Sequence, residues 1–171
     1  DYRDLDSAYV KNVKDIKADI KVDDISEVIK GSSSIIFMAN AKKRFKFVKS
    51  DVEEFQNYED IDVFGLKKVV GACVKHNVPR IVYVSGTCRS CLEDASGEYD
   101  KICGIECENC RSKQMGENII KSNGLDYTIV RIGYLINGEN RGAKEIELTQ
   151  DYSKSGMISR YDLANICAAS I

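Results

Sequence analysis

The feature that most constrains the fold is an alternation between short apolar runs and longer segments with helical periodicity. Runs rich in apolar or β-branched residues occupy 15–20, 34–39, 81–85 and 127–132. Helical spacing of apolar residues marks 23–30, 52–76, about 106–123, and the chain from about 160 onward. Continuous apolar runs are typical of strands buried on both faces, and strands that alternate with helices form parallel sheets. The sequence therefore predicts an α/β fold with a doubly wound parallel sheet.

Polar or small residues follow each predicted strand. They are Asp19, the pair Ala39–Asn40, the pair Ser85–Gly86, and the segment Arg131–Tyr134. In open parallel sheets, ligands bind at the carboxyl ends of the strands. These positions are therefore the first candidates for a functional site.

A dinucleotide-binding sheet needs a Gly-rich turn after its first strand, because backbone N–H groups must approach the pyrophosphate there. The first glycine of this chain is Gly31, which follows a predicted helix. The chain also ends in ANICAASI, in the middle of a helical pattern. We therefore interpret residues 1–171 as a single domain of a longer protein, incomplete at its N-terminus.

Charge and hydropathy exclude several classes of protein. Lys and Arg number 25 and Asp and Glu number 27, so the formal net charge is −2. A nucleic-acid-wrapping protein needs surplus positive charge. The sequence contains no apolar run long enough for a membrane span and no N-terminal signal pattern. These observations predict a soluble intracellular protein, in the cytoplasm or the interior of an organelle. The cysteine usage described next predicts that this compartment is reducing.

Cysteine usage is unusual, because five of the seven cysteines lie between residues 88 and 110. Cys88-x-x-Cys91 and Cys107-x-x-Cys110 are separated by the fifteen residues 92–106. This spacing is typical of tetrathiolate zinc sites, and Cys103 would be a spare ligand for an iron–sulfur cluster. Redox-active thiols and ordinary buried cysteines are the alternatives. The region from about 87 to 110 is thus predicted to be a Cys-rich insertion.

Several blocks of the sequence resemble one known family. They are RDLDSAYVKNVKDIKADI (3–20), DVFGLKKVVGACVKHNVPRIVYVSG (62–86), SNGLDYTIVRIGYL (122–135) and MISRYDLAN (157–165). Together they are similar to the atypical short-chain dehydrogenase/reductase proteins, an NAD(P)-binding group with NmrA-like and related plastid members. The third block is the most specific. The resemblance implies a Rossmann-like fold and a nicotinamide dinucleotide cofactor, NADP or NAD.

The resemblance implies roles for individual residues along the dinucleotide. Arg3 matches the basic residue that pairs with the 2′-phosphate of NADP, for which a planar fork of donors is well suited. Asp19 and Ile20 match the pair that flanks the adenine. Ala39 and Asn40 match the turn beside the ribose.

A second group of matched residues lies at the reactive end of the cofactor. The resemblance assigns Ser85 to the hydroxyl that orients a substrate carbonyl, and Lys113 to the lysine of a Tyr-x-x-x-Lys motif. That lysine holds the nicotinamide ribose and lowers the pKa of the tyrosine. Ile132 and Gly133 match the loop beside the carboxamide. From spacing alone, Lys113 could instead pair with Glu117 at i, i+4 on a solvated face, and Ser85 could be a turn cap.

The chain departs from the motif at its tyrosine position, which is Asn109 in NCRSK (109–113). An amide is not an acid that can protonate a carbonyl as a phenol can. Tyr99 or Tyr134 could supply a phenol from elsewhere in space. The resemblance thus implies cofactor binding and leaves standard carbonyl reduction in doubt.

The leading functional hypothesis is an NADP-binding reductase of a small carbonyl or quinone-like substrate. The chief alternative is a non-catalytic dinucleotide-binding sensor, scaffold or assembly subunit, which Asn109 favours. A zinc-ribbon interaction module is a third alternative, and the extended α/β alternation argues against it. The expected partners are a dinucleotide and a small molecule, with no nucleic acid and no membrane span.

Overall fold

The computed structural model describes residues 12–40, 58–87, 100–138, 145–151 and 154–171, and in 100–108 it describes the backbone alone. Within these ranges the elements follow in the order α1 (Ser26–Ile29), β1 (Ser34–Phe37), a π-helix (Asp60–Gly65), α2 (Leu66–His76), β2 (Arg80–Gly86), α3 (Asp100–Ser122), β3 (Asp126–Ile132), β4 (Tyr134–Ile136), β5 (Met157–Ser159) and α4 (Arg160–Ala169). Among the described helices, none combines the length and the apolar character that crossing a lipid bilayer requires.

The first three strands form one parallel sheet in the order β1–β2–β3. Ile35 of β1 pairs with Ile81 of β2, which in turn pairs with Tyr127 of β3. Parallel neighbours require crossover connections. The π-helix and α2 lie between β1 and β2 in the chain, and α3 lies between β2 and β3. The predicted α/β class with a parallel, Rossmann-like sheet is confirmed.

Apolar clusters cover both faces of the central strand β2. Ile81 and Tyr83 belong to a cluster that includes residues of α1, α2 and α3. Val82 and Val84 face the other way and pack with Leu163 of α4. Because both faces of β2 are buried, its sequence is a continuous apolar run rather than an alternating one.

The predicted helix boundaries are confirmed at three positions. Gly31 follows α1 and Gly124 follows α3, both with φ of +81°. Glycine is favoured at such left-handed positions because it has no Cβ. The α4 helix begins after Ser159, whose hydroxyl accepts a 3.0 Å hydrogen bond from the Asp162 amide. This is an N-cap, and it satisfies a donor that the first helical turn leaves unpaired.

Residues 15–20 do not form the strand that the sequence predicts. Their backbone has no strand pairing, and Ile16 is 44% exposed. A strand needs a neighbour that satisfies its backbone donors and acceptors. Among the described residues no strand pairs with this segment. The predicted strand at 15–20 is therefore wrong.

Other elements differ in length from the prediction. The β1 strand ends at Phe37 rather than at residue 39, α1 covers only Ser26–Ile29, and α3 begins at Asp100. The predicted helix at 52–76 is described from residue 58 onward, and its first turns are the π-helix Asp60–Gly65. Helix ends shift readily, because capping and tertiary contacts override the apolar period there.

A second parallel sheet, formed by β4 and β5, was not predicted from the sequence. Each strand has three residues, and Tyr134 pairs with Met157 far along the chain. Such short strands carry no periodic signal. Gly133 permits the close approach, because a Cβ there would lie 2.7 Å from Ser155 Oγ. The Tyr134 amide then donates a 2.9 Å hydrogen bond to the Gly156 carbonyl.

The α3 helix approaches β2 closely at Gly116. A Cβ at this position would lie 2.9 Å from Tyr83 Cζ and 3.0 Å from the Asp62 carbonyl oxygen. Tyr83 is fully buried, so its ring cannot move aside without disturbing the core. The absence of a side chain at Gly116 therefore sets the distance between α3, β2 and the π-helix.

We expect Gly116→Ala to destabilise the protein, because overpacking a closed site costs about 1–3 kcal/mol, more than the roughly 1 kcal/mol that alanine gains in a helix. Gly71→Ala is the matched control, since it lies inside α2 with no heavy atom within 4 Å of its added Cβ. Urea denaturation measures both variants. A Gly116→Ala protein as stable as the Gly71→Ala protein would contradict the close approach.

Candidate functional site

The carboxyl ends of β1, β2 and β3 lie together at one edge of the sheet, because the three strands are parallel and in register. Ala39 follows β1, Ser85 lies near the end of β2, and Ile132 ends β3. We call this region the carboxyl edge. It is the place at which ligands bind in parallel α/β sheets.

Lys113 of α3 directs its ammonium group to the carboxyl edge. Its Nζ lies 2.6 Å from Asp62 Oδ1 and 3.4 Å from the Ala39 carbonyl oxygen. A longer bond of 3.5 Å reaches the Val84 carbonyl. The Lys113 side chain is only 8% exposed. The structure thus brings together Lys113 and Ala39, two residues that the resemblance assigns to the same dinucleotide cofactor.

Asp62, the ion-pair partner of Lys113, was not singled out by the sequence analysis. It lies in the π-helix and is completely buried. Single-turn π-helices are rare and occur frequently at functional sites. Burial raises the pKa of Asp62 above its ordinary value, although the charge and hydrogen bond of Lys113 oppose that rise. A carboxylate between Ile61 and Val63, in an otherwise apolar stretch, was the signal that could have identified it.

Glu117 is the centre of a second buried polar cluster, one helical turn after Lys113. Its carboxylate accepts a 2.8 Å hydrogen bond from Ser85 Oγ. Arg131 of β3 donates to both carboxylate oxygens, at 2.7 and 2.5 Å. Lys121 adds a longer contact of 3.3 Å. A bidentate arginine–carboxylate pair is among the strongest hydrogen-bonding arrangements in proteins, so this cluster fixes α3 against β2 and β3.

The environment of Glu117 keeps its carboxylate ionised. Burial alone would raise the pKa of Glu117, but the hydrogen bonds from Arg131 and Ser85 and the charge of Arg131 outweigh burial and lower it. Lys113 and Glu117 are therefore not partners on a solvated face. Each side chain is 8% exposed and each has a different partner. That alternative interpretation of their spacing is wrong.

Because of these contacts, Ser85 has no hydroxyl proton left to donate to a ligand. A hydroxyl has one proton to donate, and an ionised carboxylate can only accept. The Ser85 proton is donated to Glu117, and Ser85 is 2% exposed. A substrate carbonyl at the carboxyl edge would therefore need a different hydrogen-bond donor.

Asn109 lies on α3 one turn before Lys113, so the two side chains share a helix face. Its Oδ1 is buried and has no hydrogen-bond partner among the residues that the structure describes. This atom is an acceptor. Tyr134 lies on β4 and is 73% exposed, and Tyr99 lies outside the described residues.

Of the two residues predicted to flank the adenine, Ile20 contacts the π-helix and Asp19 lies at the surface. Asp19 begins a turn in which its Oδ1 accepts a 2.9 Å hydrogen bond from the Lys21 amide. Ile20 packs so closely on Gly65 that a Cβ there would be 3.2 Å from its side chain. Asn40 is exposed after β1. Ile20 therefore contacts the helical segment that carries Asp62, and Asp19 remains at the surface.

Ile132 and Gly133 lie at the end of β3, as predicted. The Ile132 carbonyl accepts a 2.9 Å hydrogen bond from the Thr87 amide. Its side chain packs into the apolar cluster beside α4. The close contact of Gly133 with residues 155–156 joins the carboxyl edge to the small β4–β5 sheet.

Several predicted site residues cannot be placed. Arg3, Cys88 and Cys91 lie outside the described residues, and Cys107 is described by its backbone alone. Cys110 is partly buried on α3. Within the part of the chain that the structure describes, no three His, Cys, Asp or Glu side chains are grouped so that they could hold a metal. The zinc site stays a prediction.

A parallel sheet between helices is the arrangement of Rossmann-like folds, in which ligands bind at the carboxyl edge. A family model described as NAD(P)H-binding matches residues 3–171. The chain therefore belongs to this NAD(P)H-binding family, and its resemblance to the atypical short-chain dehydrogenase/reductase group is confirmed. A comparison with curated protein sequences finds no match.

Solved structures show the same fold. A provisionally named NAD-dependent epimerase/dehydratase from Bacillus halodurans is 22% identical, with a TM-score of 0.62 over 90% of this chain and 64% of that one. A short-chain dehydrogenase/reductase from Veillonella parvula DSM 2008 is 12% identical, with a TM-score of 0.54 over 85% and 57% of the two chains. The oxidoreductase ylbE from Lactococcus lactis is 20% identical, with a TM-score of 0.53 over 77% and 54%. The chain spans less than two thirds of each.

We expect Glu117→Gln to change how stability depends on pH. The folded pKa of Glu117 is lowered, so its carboxylate stabilises the fold above its ordinary value of 4.5, and this contribution is lost as pH falls through the folded pKa. Near pH 7 the variant should lose about 3 kcal/mol, because it leaves Arg131 without its charged partner. As pH falls below the ordinary value of 4.5 and towards the lowered folded pKa, the difference from the wild-type protein should shrink.

Urea denaturation between pH 3 and pH 8 measures this difference. Glu27→Gln is the control, because Glu27 forms an exposed pair with Lys30 and such pairs contribute little. A difference between Glu117→Gln and wild-type protein that stays constant over this pH range would contradict the lowered pKa.

Proposed function

We propose that this chain is the nucleotide-binding part of an atypical short-chain dehydrogenase/reductase-like protein that binds NADP(H) without reducing simple carbonyl compounds. In this proposal it acts as a dinucleotide-dependent sensor, scaffold or assembly subunit. The family match supports the nicotinamide dinucleotide. The preference for NADP follows from Arg3, through the resemblance alone.

The described residues fit such a cofactor at the carboxyl edge. The Lys113 ammonium group lies there at 3.4 Å from the Ala39 carbonyl and 3.5 Å from the Val84 carbonyl, and these long contacts can be exchanged for ribose hydroxyls while the 2.6 Å bond to Asp62 is kept. The buried Asn109 Oδ1 lacks a partner among the described residues and is an acceptor. Ribose hydroxyls and a carboxamide N–H group are donors of the kind that this atom requires. When bound, a nicotinamide dinucleotide supplies hydride transfer.

The non-catalytic assignment rests on one observation. The Ser85 hydroxyl, which would donate a hydrogen bond to a substrate carbonyl, donates it to Glu117 instead. Ser85 donates its proton to Glu117, whose carboxylate is held by Arg131. Asn109 occupies the position of the acidic tyrosine. General acid catalysis contributes roughly 10²–10⁴-fold to a rate, so its loss at this edge leaves simple carbonyl reduction slow.

A reductase of a quinone-like substrate is the second candidate. The Lys113 ammonium group, which the resemblance assigns to the nicotinamide ribose, lies 3.4 Å from the Ala39 carbonyl at the carboxyl edge, and this supports a nucleotide bound there. A quinone that accepts a hydride at one oxygen can take its proton from water. Reduction of a quinone therefore depends less on a phenol at residue 109 than reduction of a simple carbonyl does. This candidate therefore keeps the same nucleotide site and differs only in the acceptor.

Binding of NADPH and NADH to the full-length protein tests the cofactor assignment. We expect NADPH to bind more tightly, and Arg3→Ala to weaken NADPH binding more than tenfold, as the loss of a charge-assisted contact of about 1.5–3 kcal/mol requires. NADH affinity should not change in this variant. Equal affinities for the two nucleotides in the wild-type protein would refute the NADP preference, and the lack of binding to either would refute the proposal.

The rate of NADPH oxidation with simple aldehydes, simple ketones and menadione separates the two candidates. We expect no turnover with the aldehydes and ketones, and a measurable gain in Asn109→Tyr, which places a phenol one turn from Lys113. Asn109→Phe is the matched control, since it adds the ring without the acidic hydroxyl. Fast oxidation of NADPH by menadione in the wild-type protein would replace the non-catalytic assignment with the quinone reductase.

A further inference from the structure

A cleft of about 400 Å³ lies between the outer side of α2 and the segment 22–26. The α2 residues that line it include Lys68, Gly71 and Lys75, all of them exposed. The buried residues of the same helix, such as Val69, belong to the cluster against the sheet. The residues that line the cleft include none of those assigned to the dinucleotide.

The cleft is lined by equal numbers of positively and negatively charged side chains. Lys68 and Lys75 lie on the helix side, and Asp23 and Asp24 lie on the opposite side. The two lysines are two helical turns apart, or about 10 Å along the axis. With two ammonium groups against two carboxylates, the cleft disfavours a purely anionic or a purely cationic ligand, because each would meet like charges as well as opposite ones.

The walls of the cleft are held in place by hydrogen bonds. Asp23 Oδ2 accepts from the Asp19 amide at 2.7 Å, and Asp24 Oδ1 accepts from the Ser26 amide at 2.8 Å. Lys68 Nζ donates to the Lys21 carbonyl at 2.6 Å. Small-molecule sites are usually preformed in this way, because fixed groups lose little freedom when the ligand binds.

The buried Ser26 hydroxyl joins α1 to α2 at one wall of the cleft. Ser26 is 7% exposed, and its Oγ accepts a 3.0 Å hydrogen bond from Lys75 Nζ. The same Oγ lies 2.8 Å from His76 Nε2. These contacts tie α1 to the last turn of α2. They also hold the Lys75 ammonium group at the cleft rather than free in solvent.

The remaining lining of the cleft consists of small or apolar residues. They include Val22, Ile25, Gly71 and Ala72. A Cβ added at Gly71 would meet no heavy atom within 4 Å. This glycine therefore leaves a space over the helix backbone in which an aliphatic group can lie.

We propose that this cleft binds a small zwitterion of the α-amino-acid class with an aliphatic side chain. The ligand's ammonium group pairs with Asp23 or Asp24, its carboxylate pairs with Lys68 or Lys75, and its side chain lies over Gly71. Only a ligand with both charges satisfies both sides of the cleft. The cleft adjoins Asp19 through Asp23 but shares no lining residue with the predicted dinucleotide site, so it gives the protein a second small-molecule ligand.

Calorimetric titration of the full-length protein with three probes tests the charge argument. L-leucine carries both charges, 4-methylpentanoate lacks the ammonium group, and 3-methylbutylamine lacks the carboxylate. We expect saturable binding of L-leucine with a Kd of about 1 mM or tighter, and at least tenfold weaker binding of the other two. Equal binding of all three, or the lack of saturable binding of L-leucine, would overturn the proposal.

Gly71→Leu tests the location. It fills the space over the helix without removing a contact and replaces a helical glycine, so the protein should be at least as stable as wild type while L-leucine affinity falls at least tenfold. Lys67→Leu is the matched control, since Lys67 is exposed on the same helix and does not line the cleft. NADPH affinity should be unchanged in both variants. Unaltered L-leucine binding in Gly71→Leu, or displacement of L-leucine by NADPH, would place the ligand elsewhere and refute the site.

Discussion

The ion pair between Asp62 and Lys113 is the interaction on which the carboxyl edge depends. It joins the π-helix before α2 to the middle of α3, two segments separated by fifty residues of chain, with 2.6 Å between Nζ and Oδ1. Desolvation cancels much of the Coulombic gain in a buried pair, so such a pair is weak evidence for stability. The main effect of this pair is to fix the position of the Lys113 ammonium group. With Asp62 as the fixed anion, the ammonium group can lie at hydrogen-bonding distance from the carbonyls of Ala39 and Val84.

Glycine and arginine complete the arrangement around this pair. Gly116 lets α3 approach Tyr83, and the Lys113 ammonium group lies 5.5 Å from the centre of that aromatic ring. One turn further along α3, the Glu117 carboxylate accepts hydrogen bonds from the Ser85 hydroxyl and from two nitrogens of the Arg131 guanidinium group. The same helix face thus places the Lys113 cation at the edge and holds the Ser85 hydroxyl in a hydrogen bond to Glu117. We propose that this combination serves nucleotide binding rather than carbonyl reduction.

The sequence predicted the sheet because β1, β2 and β3 are short continuous runs of apolar or β-branched residues. Of the three, β2 alone is buried on both faces; the residues of β1 and β3 are mostly partly buried or exposed, so the expectation of two-faced burial was wrong for them. The sequence also placed Lys113, Ala39 and Ser85 at the carboxyl edge, through the resemblance. It did not predict the partners of Lys113 and Glu117, because i, i+4 spacing makes them neighbours on α3 while tertiary packing gives each a different partner. The π-helix that buries Asp62 has no periodic signature, and the three-residue strands β4 and β5 pair only through long-range contacts. The segment 15–20 has the composition of a strand, but strand formation also requires a neighbour.

A double-mutant cycle on the ion pair tests the central claim most directly. Lys113→Met alone should cost about 3–5 kcal/mol of stability, because it leaves Asp62 buried without its cation, and it should weaken NADPH binding. The double variant Asp62→Leu with Lys113→Met should recover most of the stability, since an apolar pair can replace a buried ion pair, while NADPH binding stays weak. Additive losses of stability in the double variant, or wild-type NADPH affinity in Lys113→Met, would contradict the account.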